Sequence, residues 1–241
     1  MVLGPGEELR GRHALVTGAS RGIGAEVAER LARAGAEVWL LARSRGALER
    51  LAERTGGHAL VADLADDASV WEALDRLQEA SGRVPDVVVN AAGVFGVSPV
   101  AEETVRSLDD HLSVNLRGAF LVVRGLLPGM LARGSGLIVN VGSVAGRKAF
   151  PSNAAYSASK FGLRGFHEVL LEEVRGTGVR ATLVEPAATD TALWDPLDPD
   201  NNPALPDRTA MLSAPDVAEA VLFVATRPPG VRIPLLQIER A

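Results

Sequence analysis

A tyrosine and a lysine, four residues apart, are the side chains in this sequence best suited to acid–base chemistry. They bound the run Tyr156-Ser157-Ala158-Ser159-Lys160, in a segment that we expect to be helical over residues 154–175. Residues four apart share one face of a helix, so the ammonium and the phenol lie side by side. Because a free phenol has a pKa of about 10, we expect the lysine to stabilise the phenolate and to lower that pKa. In isolation, the same pair is an ordinary helix-surface pair.

A glycine-rich turn near the N-terminus is the second chemically informative feature. The run Thr17-Gly18-Ala19-Ser20-Arg21-Gly22-Ile23-Gly24 follows a predicted strand and opens a predicted helix. In this context Gly18 suits a tight turn, Gly22 lets the backbone approach a pyrophosphate, and Gly24 allows close packing of the helix on the strand. The helix N-terminus then offers free N–H groups to phosphates. A tight turn that binds no ligand is the alternative.

The hydrophobic pattern predicts the elements that position these residues. Short apolar runs alternate with longer stretches of helical periodicity, which is typical of a parallel sheet covered by helices on both faces. The predicted strands are residues 13–17, 37–42, 59–62, 86–90, 136–141 and 179–185. The predicted helices are residues 22–34, 46–54, 70–80, 101–132 and 154–175. We therefore predict an α/β fold over residues 1–241: a single-domain, Rossmann-type doubly wound parallel sheet of roughly seven strands, with its ligand crevice at the carboxyl ends of the strands.

Composition argues against several classes of function. The net charge is -5 and the lysines and arginines are scattered, which argues against a nucleic-acid partner. The absence of cysteine excludes disulfides and thiolate metal sites and fits a reducing compartment. Residues 1–10 lack the pattern of a signal peptide, and no apolar stretch approaches the ~20 residues that span a bilayer. We expect a cytoplasmic protein with no membrane partner.

Two further runs complete a catalytic pattern. Ser143 lies in Gly142-Ser143-Val144-Ala145-Gly146, thirteen residues before Tyr156, and Asn115 lies in Ser113-Val114-Asn115-Leu116-Arg117-Gly118. Together with the glycine turn, these runs resemble the short-chain dehydrogenase/reductase family in its single-domain branch. The resemblance implies that Tyr156 is the general acid and base, while Ser143 orients the carbonyl oxygen. It also implies that Lys160 tunes the tyrosine and binds the nicotinamide ribose, and that Asn115 supports a proton-relay water.

The resemblance further implies a set of contacts to a nicotinamide dinucleotide. Asp63-Leu64 fits the position that binds adenine, and the segments that begin at Asn90 and at Pro186 fit those that line the nicotinamide half. The predicted cofactor-binding residues are Gly18, Ser20, Arg21, Gly22, Ile23, Gly24, Arg43, Ser44, Asp63, Leu64, Asn90, Ala91, Gly93, Tyr156, Lys160, Pro186, Thr189 and Thr191. The sequence departs from the family pattern at Ala91, Ala187 and Thr189, and none of these is a reacting group.

The end of the second predicted strand favours NADP(H) over NAD(H). An acidic residue there would bind the ribose 2′-hydroxyl, but the sequence has Ala42-Arg43-Ser44. Arg43 offers a planar fork for a 2′-phosphate, and Arg21 in the glycine turn offers a second cation. Glu37 begins the strand, so we expect it at the amino end, which is the wrong end for binding the ribose. For each arginine alone, a solvated surface residue is the alternative.

The segment after the sixth predicted strand interrupts the α/β pattern. Residues 194–208 are rich in proline, aspartate and asparagine, with almost no apolar periodicity. Because this segment should lie above the crevice, we predict a substrate lid around residues 190–212. A disordered surface loop is the alternative. Loop position is equally compatible with substrate contact and with plain packing for three aromatic residues, Trp194, Phe95 and Phe150.

These observations lead to one function and one alternative from another class. The first is an NADP(H)-dependent oxidoreductase that transfers a hydride between nicotinamide and a small carbonyl or secondary alcohol. The alternative is a redox sensor that binds the cofactor without turnover. An epimerase or dehydratase is disfavoured, because such relatives usually carry a larger C-terminal domain. The resemblance implies a homodimer or homotetramer, formed through the two long helices. We expect no metal, because metal-ligand spacing is absent from the four histidines, His13, His58, His111 and His167.

Overall fold

The structure is a computed structural model that describes residues 8–241 as alternating strands and helices. The strands are β1 (His13–Thr17), β2 (Glu37–Ala42), β3 (His58–Val61), β4 (Val87–Asn90), β5 (Gly136–Val141), β6 (Val179–Pro186), β7 (Thr189–Asp190), β8 (Leu212–Ser213) and β9 (Leu235–Ile238). The helices are α1 (Gly22–Arg33), α2 (Arg45–Thr55), α3 (Asp67–Ser81), α4 (Val105–Leu112), α5 (Ala119–Arg133), α6 (Ala154–Glu173) and α7 (Ala214–Ala225). Most of the N-terminal segment interpreted above as lacking a signal peptide lies outside the described residues.

Seven of the strands form one sheet in the order β3-β2-β1-β4-β5-β6-β9. Every pair of neighbours in this sheet is parallel. The strand order runs outwards in opposite directions from β1 and β4, and this switch leaves a crevice beyond their carboxyl ends. β7 and β8 form a separate parallel pair. The predicted Rossmann-type doubly wound sheet is confirmed.

The core consists of one apolar cluster on each face of the sheet. Leu31 of α1 and Val217 of α7 are fully buried on one face, which α2 also covers. On the other face Leu74 of α3, Leu126 of α5 and Leu170 of α6 are buried. Each such side chain stabilises the fold by about 1.5–3 kcal/mol relative to its exposed state. Burial on both faces is the reason that the strands are continuous apolar runs.

The helical stretch before β5 begins later than residue 101, where it was predicted to start. Thr104 caps its first turn, because the threonine side chain accepts a 3.0 Å hydrogen bond from the backbone N–H of Ser107. Between α4 and α5, residues Ser113–Gly118 form a π-helical turn. Such turns are rare and occur often at functional sites. This turn carries Asn115, one of the predicted catalytic residues.

The α4–α5 stretch, Val105–Arg133, is long and apolar enough to cross a membrane by length and composition. The expectation that no segment reaches this length is therefore wrong. In the structure, Val122, Leu126 and Met130 of this stretch are buried in the cluster that α3 and the sheet also form. Packing in the core accounts for the apolar character of these residues, and the absence of a membrane partner stays a prediction.

Candidate active site

Ser143, Tyr156 and Lys160 come together beyond the carboxyl end of β5. The Ser143 hydroxyl accepts a 3.1 Å hydrogen bond from the backbone N–H of Ala145, which fixes a short 3₁₀ turn over Val144–Gly146. A methyl group on Gly146 would lie 2.9 Å from the Lys160 carbonyl oxygen, so glycine lets this turn pack closely on α6. The Ser143 hydroxyl also interacts with the Tyr156 phenol, and this interaction lowers the pKa of the phenol.

Lys160 is a buried cation beside the tyrosine. Its side chain is 5% exposed, and its Nζ donates a 2.9 Å hydrogen bond to the carbonyl oxygen of Val141. The same nitrogen lies 5.8 Å from the centroid of the Tyr156 ring. Burial lowers the pKa of Lys160 from 10.5 to about 8, because desolvation penalises the charged form. The structure thus places the ammonium and the phenol on one face of α6.

The pKa of Tyr156 moves in the direction opposite to the sequence-based expectation. Burial raises it above the ordinary value, and the hydrogen bond from Ser143 opposes that rise without cancelling it. The Lys160 ammonium does not reverse this shift, because it bonds to the Val141 carbonyl instead of the phenol oxygen. The phenol therefore keeps its proton at neutral pH, as a proton donor must.

Asn115 connects the loop after β4 to α6. Its Oδ1 accepts a 2.8 Å hydrogen bond from the backbone N–H of Val94, and its Nδ2 donates to the Val94 carbonyl at 3.0 Å. The same Nδ2 donates to the Ser159 hydroxyl at 3.0 Å, and that hydroxyl donates to the Tyr156 carbonyl at 2.7 Å. Both amide hydrogens are therefore bound to protein atoms. Support of a proton relay by Asn115 stays a prediction.

A cleft of about 480 Å³ lies along the carboxyl ends of β1, β2, β3 and β4. Its size is that of a small-molecule or cofactor site. Thirteen of the predicted cofactor-binding residues line it: Gly18, Ser20, Arg21, Gly22, Ile23, Gly24, Arg43, Ser44, Asp63, Leu64, Ala91, Gly93 and Thr191. Residues from five separate segments thus meet in one concave surface.

The glycine turn is shaped by close backbone contacts. Gly18 has a φ of +68°, and a methyl group there would lie 2.6 Å from the Cα of Ala92. A methyl group on Gly24 would collide with the Gly18 carbonyl oxygen. α1 begins at Gly22, and no side chain caps its first turn. The first N–H groups of the helix are therefore available at the cleft. These are the donors and the positive dipole end that a pyrophosphate requires.

The two ends of β2 carry charges of opposite sign. Arg43 follows the last residue of β2, lines the cleft and lies 3.9 Å from a carboxylate oxygen of Asp63. Glu37 begins β2 and pairs with His58 at 3.0 Å, at the amino end of the strand. Glu37 is therefore at the wrong end to reach a ligand in the cleft, as the strand position indicated. The cleft end of β2 offers a cation.

Five predicted residues do not line the cleft: Asn90, Tyr156, Lys160, Pro186 and Thr189. Asn90 is buried within the sheet, where its Nδ2 donates to Oδ1 of Asn140 at 2.9 Å. The Thr189 hydroxyl donates to the Ala187 carbonyl at 3.0 Å. In this structure those two side chains bond to the protein itself, and the cofactor contacts expected of all five residues stay predictions.

Aromatic rings connect the tyrosine to the segment predicted as a lid. The Phe95 ring lies 4.8 Å from the Tyr156 ring and 4.7 Å from the Trp194 ring. Three short 3₁₀ turns follow between β7 and β8. Arg208 ties them together, since it forms ion pairs with Asp190, with Asp195 at 2.7 Å and with Asp200 at 3.7 Å. Phe95 therefore packs on the tyrosine, Trp194 packs on Phe95, and the segment forms three short turns.

Comparison with known proteins assigns the family. The family model for short chain dehydrogenases matches residues 12–202. The chain belongs to the short-chain dehydrogenase/reductase family. A D-threitol dehydrogenase of Mycolicibacterium smegmatis is 37% identical over 90% of this chain and 87% of its own length. A 2-dehydro-3-deoxy-L-rhamnonate dehydrogenase (NAD(+)) of Sphingomonas is 39% identical over 78% of this chain and 76% of its own.

Solved structures agree with this assignment of fold and family. A metagenomic short-chain oxidoreductase in complex with NADP superposes with a TM-score of 0.82 at 32% identity, covering 97% of this chain and 99% of its own. A protein of Brucella melitensis named as a ribose-5-phosphate isomerase superposes with a TM-score of 0.88 at 34% identity, covering 96% and 92%. The fold is thus shared by proteins with different names, and function has to be argued from the site.

Sequence reasoning missed several residues that line the cleft of this short-chain dehydrogenase: Ala42, Ala47, Ala62, Ala92, Val94, Val114, Ala192 and Leu193. They are small or apolar and carry no chemical signal. Only their places in the chain, next to or near the predicted residues, could have indicated them. Among residues 8–241, no group of three or more metal-ligating side chains occurs.

Proposed function

We propose that this protein is an NADP(H)-dependent oxidoreductase that interconverts a small carbonyl compound and a secondary alcohol, with Tyr156 as the acid and base. The observation that carries the proposal is the Ser143–Tyr156–Lys160 cluster beside the cleft, in which Ser143 and Lys160 are buried and Tyr156 is partly exposed. Val94 lines the cleft and is bonded to Asn115, and the next residue, Phe95, packs on Tyr156. The bound cofactor supplies or accepts the hydride.

The residues of the chain supply proton transfer and orientation. The Ser143 hydroxyl interacts with the Tyr156 phenol, so both hydroxyls can reach one carbonyl oxygen of a substrate. The phenol gives its proton to that oxygen during reduction and takes it back during oxidation. Lys160, buried 5.8 Å from the ring, stabilises the phenolate that is left behind. A positioned acid of this kind accelerates a reaction by about 10²- to 10⁴-fold.

The arginines at the cleft support NADP(H) as the form of the cofactor. Arg43 and Arg21 line it from two different segments, while the carboxylate of Glu37 is at the far end of β2. A guanidinium binds a 2′-phosphate through parallel hydrogen bonds. Among the relatives, two structures hold NADP and one dehydrogenase is named for NAD(+), so the family uses both. We therefore rest the preference for NADP(H) on Arg43 and Arg21.

Turnover with a defined cofactor tests the proposed function. Purified protein is mixed with NADPH and a panel of small ketones and aldehydes, and the loss of NADPH absorbance is followed. We expect oxidation of NADPH with at least one compound and slower oxidation of NADH. Tight binding of NADPH with no turnover of any compound would contradict the proposal and support a redox sensor instead.

We further propose that the protein is a homodimer or homotetramer and that it acts in the cytoplasm. Large apolar side chains are exposed on the two long helices: Phe120 and Leu131 on α5, and Phe161 and Val169 on α6. Exposed apolar side chains that lie together on a surface are typical of an interaction site, and this supports the proposal. Sedimentation equilibrium of the wild type and of Phe161→Glu tests this, since a charge in the interface should favour the monomer. A monomeric wild type would contradict it.

A further inference from the structure

His111 is a buried side chain beside the catalytic tyrosine that the proposed reaction does not use. It lies on α4, one helical turn before Asn115, so the two residues share one face of that stretch. The imidazole is 5% exposed, and its centroid lies 6.1 Å from the centroid of the Tyr156 ring, nearly perpendicular to it. Gly96 is a neighbour of the imidazole, because a methyl group on this glycine would lie 3.8 Å from the Cε1 atom of His111.

The hydrogen bonds of His111 fix its tautomer. Nδ1 lies 2.7 Å from the Ser107 carbonyl oxygen, which can only accept, so Nδ1 carries the proton. The Ser107 hydroxyl lies 3.5 Å from the same nitrogen. In the neutral ring, Nε2 is then a hydrogen-bond acceptor. This atom is buried, and no residue within 8–241 bonds to it.

A buried acceptor without a partner costs free energy, which a ligand recovers when it brings a donor. Nearly all buried polar groups in proteins are paired, so each exception calls for an explanation. Two facts place the His111 ring near the reacting group: it packs against Tyr156, and it shares a helix face with Asn115, which binds the loop between the cleft and Phe95. The substrate is the group that must come close to Tyr156.

We propose that His111 Nε2 accepts a hydrogen bond from a second hydroxyl of the substrate, one carbon away from the carbonyl or carbinol that reacts. The preferred substrates are then α-hydroxy carbonyl compounds and vicinal diols. His111 is a specificity-determining residue in this account, and it takes no part in proton transfer. The inference rests on the proposed oxidoreductase function.

A pair of matched ketones tests the role of His111. Acetoin and 2-butanone have the same four-carbon chain and differ by one hydroxyl beside the carbonyl. We expect a kcat/KM for acetoin about tenfold or more above that for 2-butanone, because sites built to bind a substrate hydroxyl discriminate against analogues that lack it. His111→Leu should remove the preference by lowering kcat/KM for acetoin alone. His111→Gln, which restores a polar side chain, should recover part of it.

Two controls separate this role from a structural one. Ser107→Ala removes the hydroxyl near Nδ1 and leaves the imidazole in place, so it should keep the wild-type preference. The thermal midpoint and NADPH affinity of each variant show whether the fold and the cleft are intact. Equal kcat/KM values for the two ketones in the wild type would overturn the inference and leave the proposed function standing. A His111→Leu variant that slows both ketones equally would also overturn it.

Turnover with neither of these ketones nor any other carbonyl compound would instead refute the proposed function, and with it the role of His111. Turnover of 2-butanone therefore distinguishes the two failures. It persists if only the role of His111 is wrong, and it is absent if the proposed function is wrong. Retention of the acetoin preference in His111→Leu and His111→Gln would show that the partner of the second hydroxyl lies elsewhere.

Discussion

Lys160 and Tyr156 lie on one face of α6, with the lysine Nζ 5.8 Å from the centre of the phenol ring. Burial moves both pKa values towards the neutral forms, lowering that of Lys160 to about 8 and raising that of Tyr156. The fold therefore holds a protonated phenol next to a cation that has lost most of its hydration. Both properties are accessible to measurement.

The ionisation of Tyr156 can be followed directly, because it is the one tyrosine in the sequence. Burial should raise its pKa above the ordinary value of about 10. Titration of the phenolate absorbance in the folded protein measures it, and Tyr156→Phe, which abolishes the signal, is the control. A midpoint below the ordinary value would show that the lysine charge outweighs burial.

Burial of Lys160 should destabilise the protein at neutral pH. Its pKa is lower in the folded state than in the unfolded state, so the unfolded state binds more protons between pH 8 and 10.5, and stability rises with pH across that window. The shift corresponds to about 3 kcal/mol at pH 7. Lys160→Met removes this penalty but leaves the Val141 carbonyl unpaired, which costs about 1–3 kcal/mol.

Denaturant unfolding at pH 7 and at pH 10 measures the consequence. The substitution Lys160→Met changes the free energy of unfolding by a different amount at each pH. We expect this change to be more favourable at pH 7 than at pH 10 by about 2–3 kcal/mol. The variant should also be inactive. A stability difference that does not change with pH would mean that Lys160 keeps its ordinary pKa in the folded protein.

The charge of Arg43 should decide between the two forms of the cofactor. Arg43→Asp places a carboxylate where a 2′-phosphate would bind, so we expect weaker NADPH binding by about 10- to 100-fold and a relative gain for NADH. Arg45 is a matched control, because it is as exposed as Arg43 but pairs with Glu49 and does not line the cleft. Fluorescence titration of both variants with both cofactors gives the ratio.

A cofactor ratio that is the same in Arg43→Asp, Arg45→Asp and the wild type would assign Arg43 to the solvated surface. Arg21 would then be left as the cation of the cleft, and its own substitution would be the next variant to titrate.

Arg208 should hold the segment at residues 190–212 over the site. Arg208→Leu removes the ion pairs to Asp190 and Asp195, so we expect faster proteolysis within the segment and a KM raised several-fold with a smaller change in kcat. Arg175→Leu breaks an exposed ion pair with Glu172 on the last turn of α6 and is the control. Limited proteolysis and steady-state kinetics of the two variants make the comparison. Equal proteolysis in both would contradict a lid held by Arg208.

Local spacing made part of this site predictable. The strand–turn–helix context of Gly18 and the interval between Tyr156 and Lys160 are properties of short runs, and the structure places the glycine turn in the cleft and the pair on one helix face. Tertiary packing decided the rest. The direction of the Tyr156 pKa depends on burial by other segments, and the unpaired nitrogen of His111 becomes visible only when its neighbours are known.

The boundaries of the helices also depend on contacts that the sequence pattern does not reveal. The Thr104 cap, which starts α4, depends on one side-chain hydrogen bond that apolar periodicity does not reveal. The π-helical turn at Ser113–Gly118 lies between α4 and α5, within a stretch that the sequence pattern predicted as one continuous helix. Asn115 was identified by its sequence context, but its partners, Val94 and Ser159, come from segments far along the chain.

The most direct test of the account compares Tyr156→Phe with the wild type in NADPH binding and in turnover of the same ketone. Phenylalanine keeps the ring that packs on Phe95 and removes only the hydroxyl. We predict an unchanged dissociation constant for NADPH and a kcat lower by about 10²-fold or more, because the proton donor is lost. A variant that reduces the ketone at nearly the wild-type rate would contradict the assignment of Tyr156 as the acid.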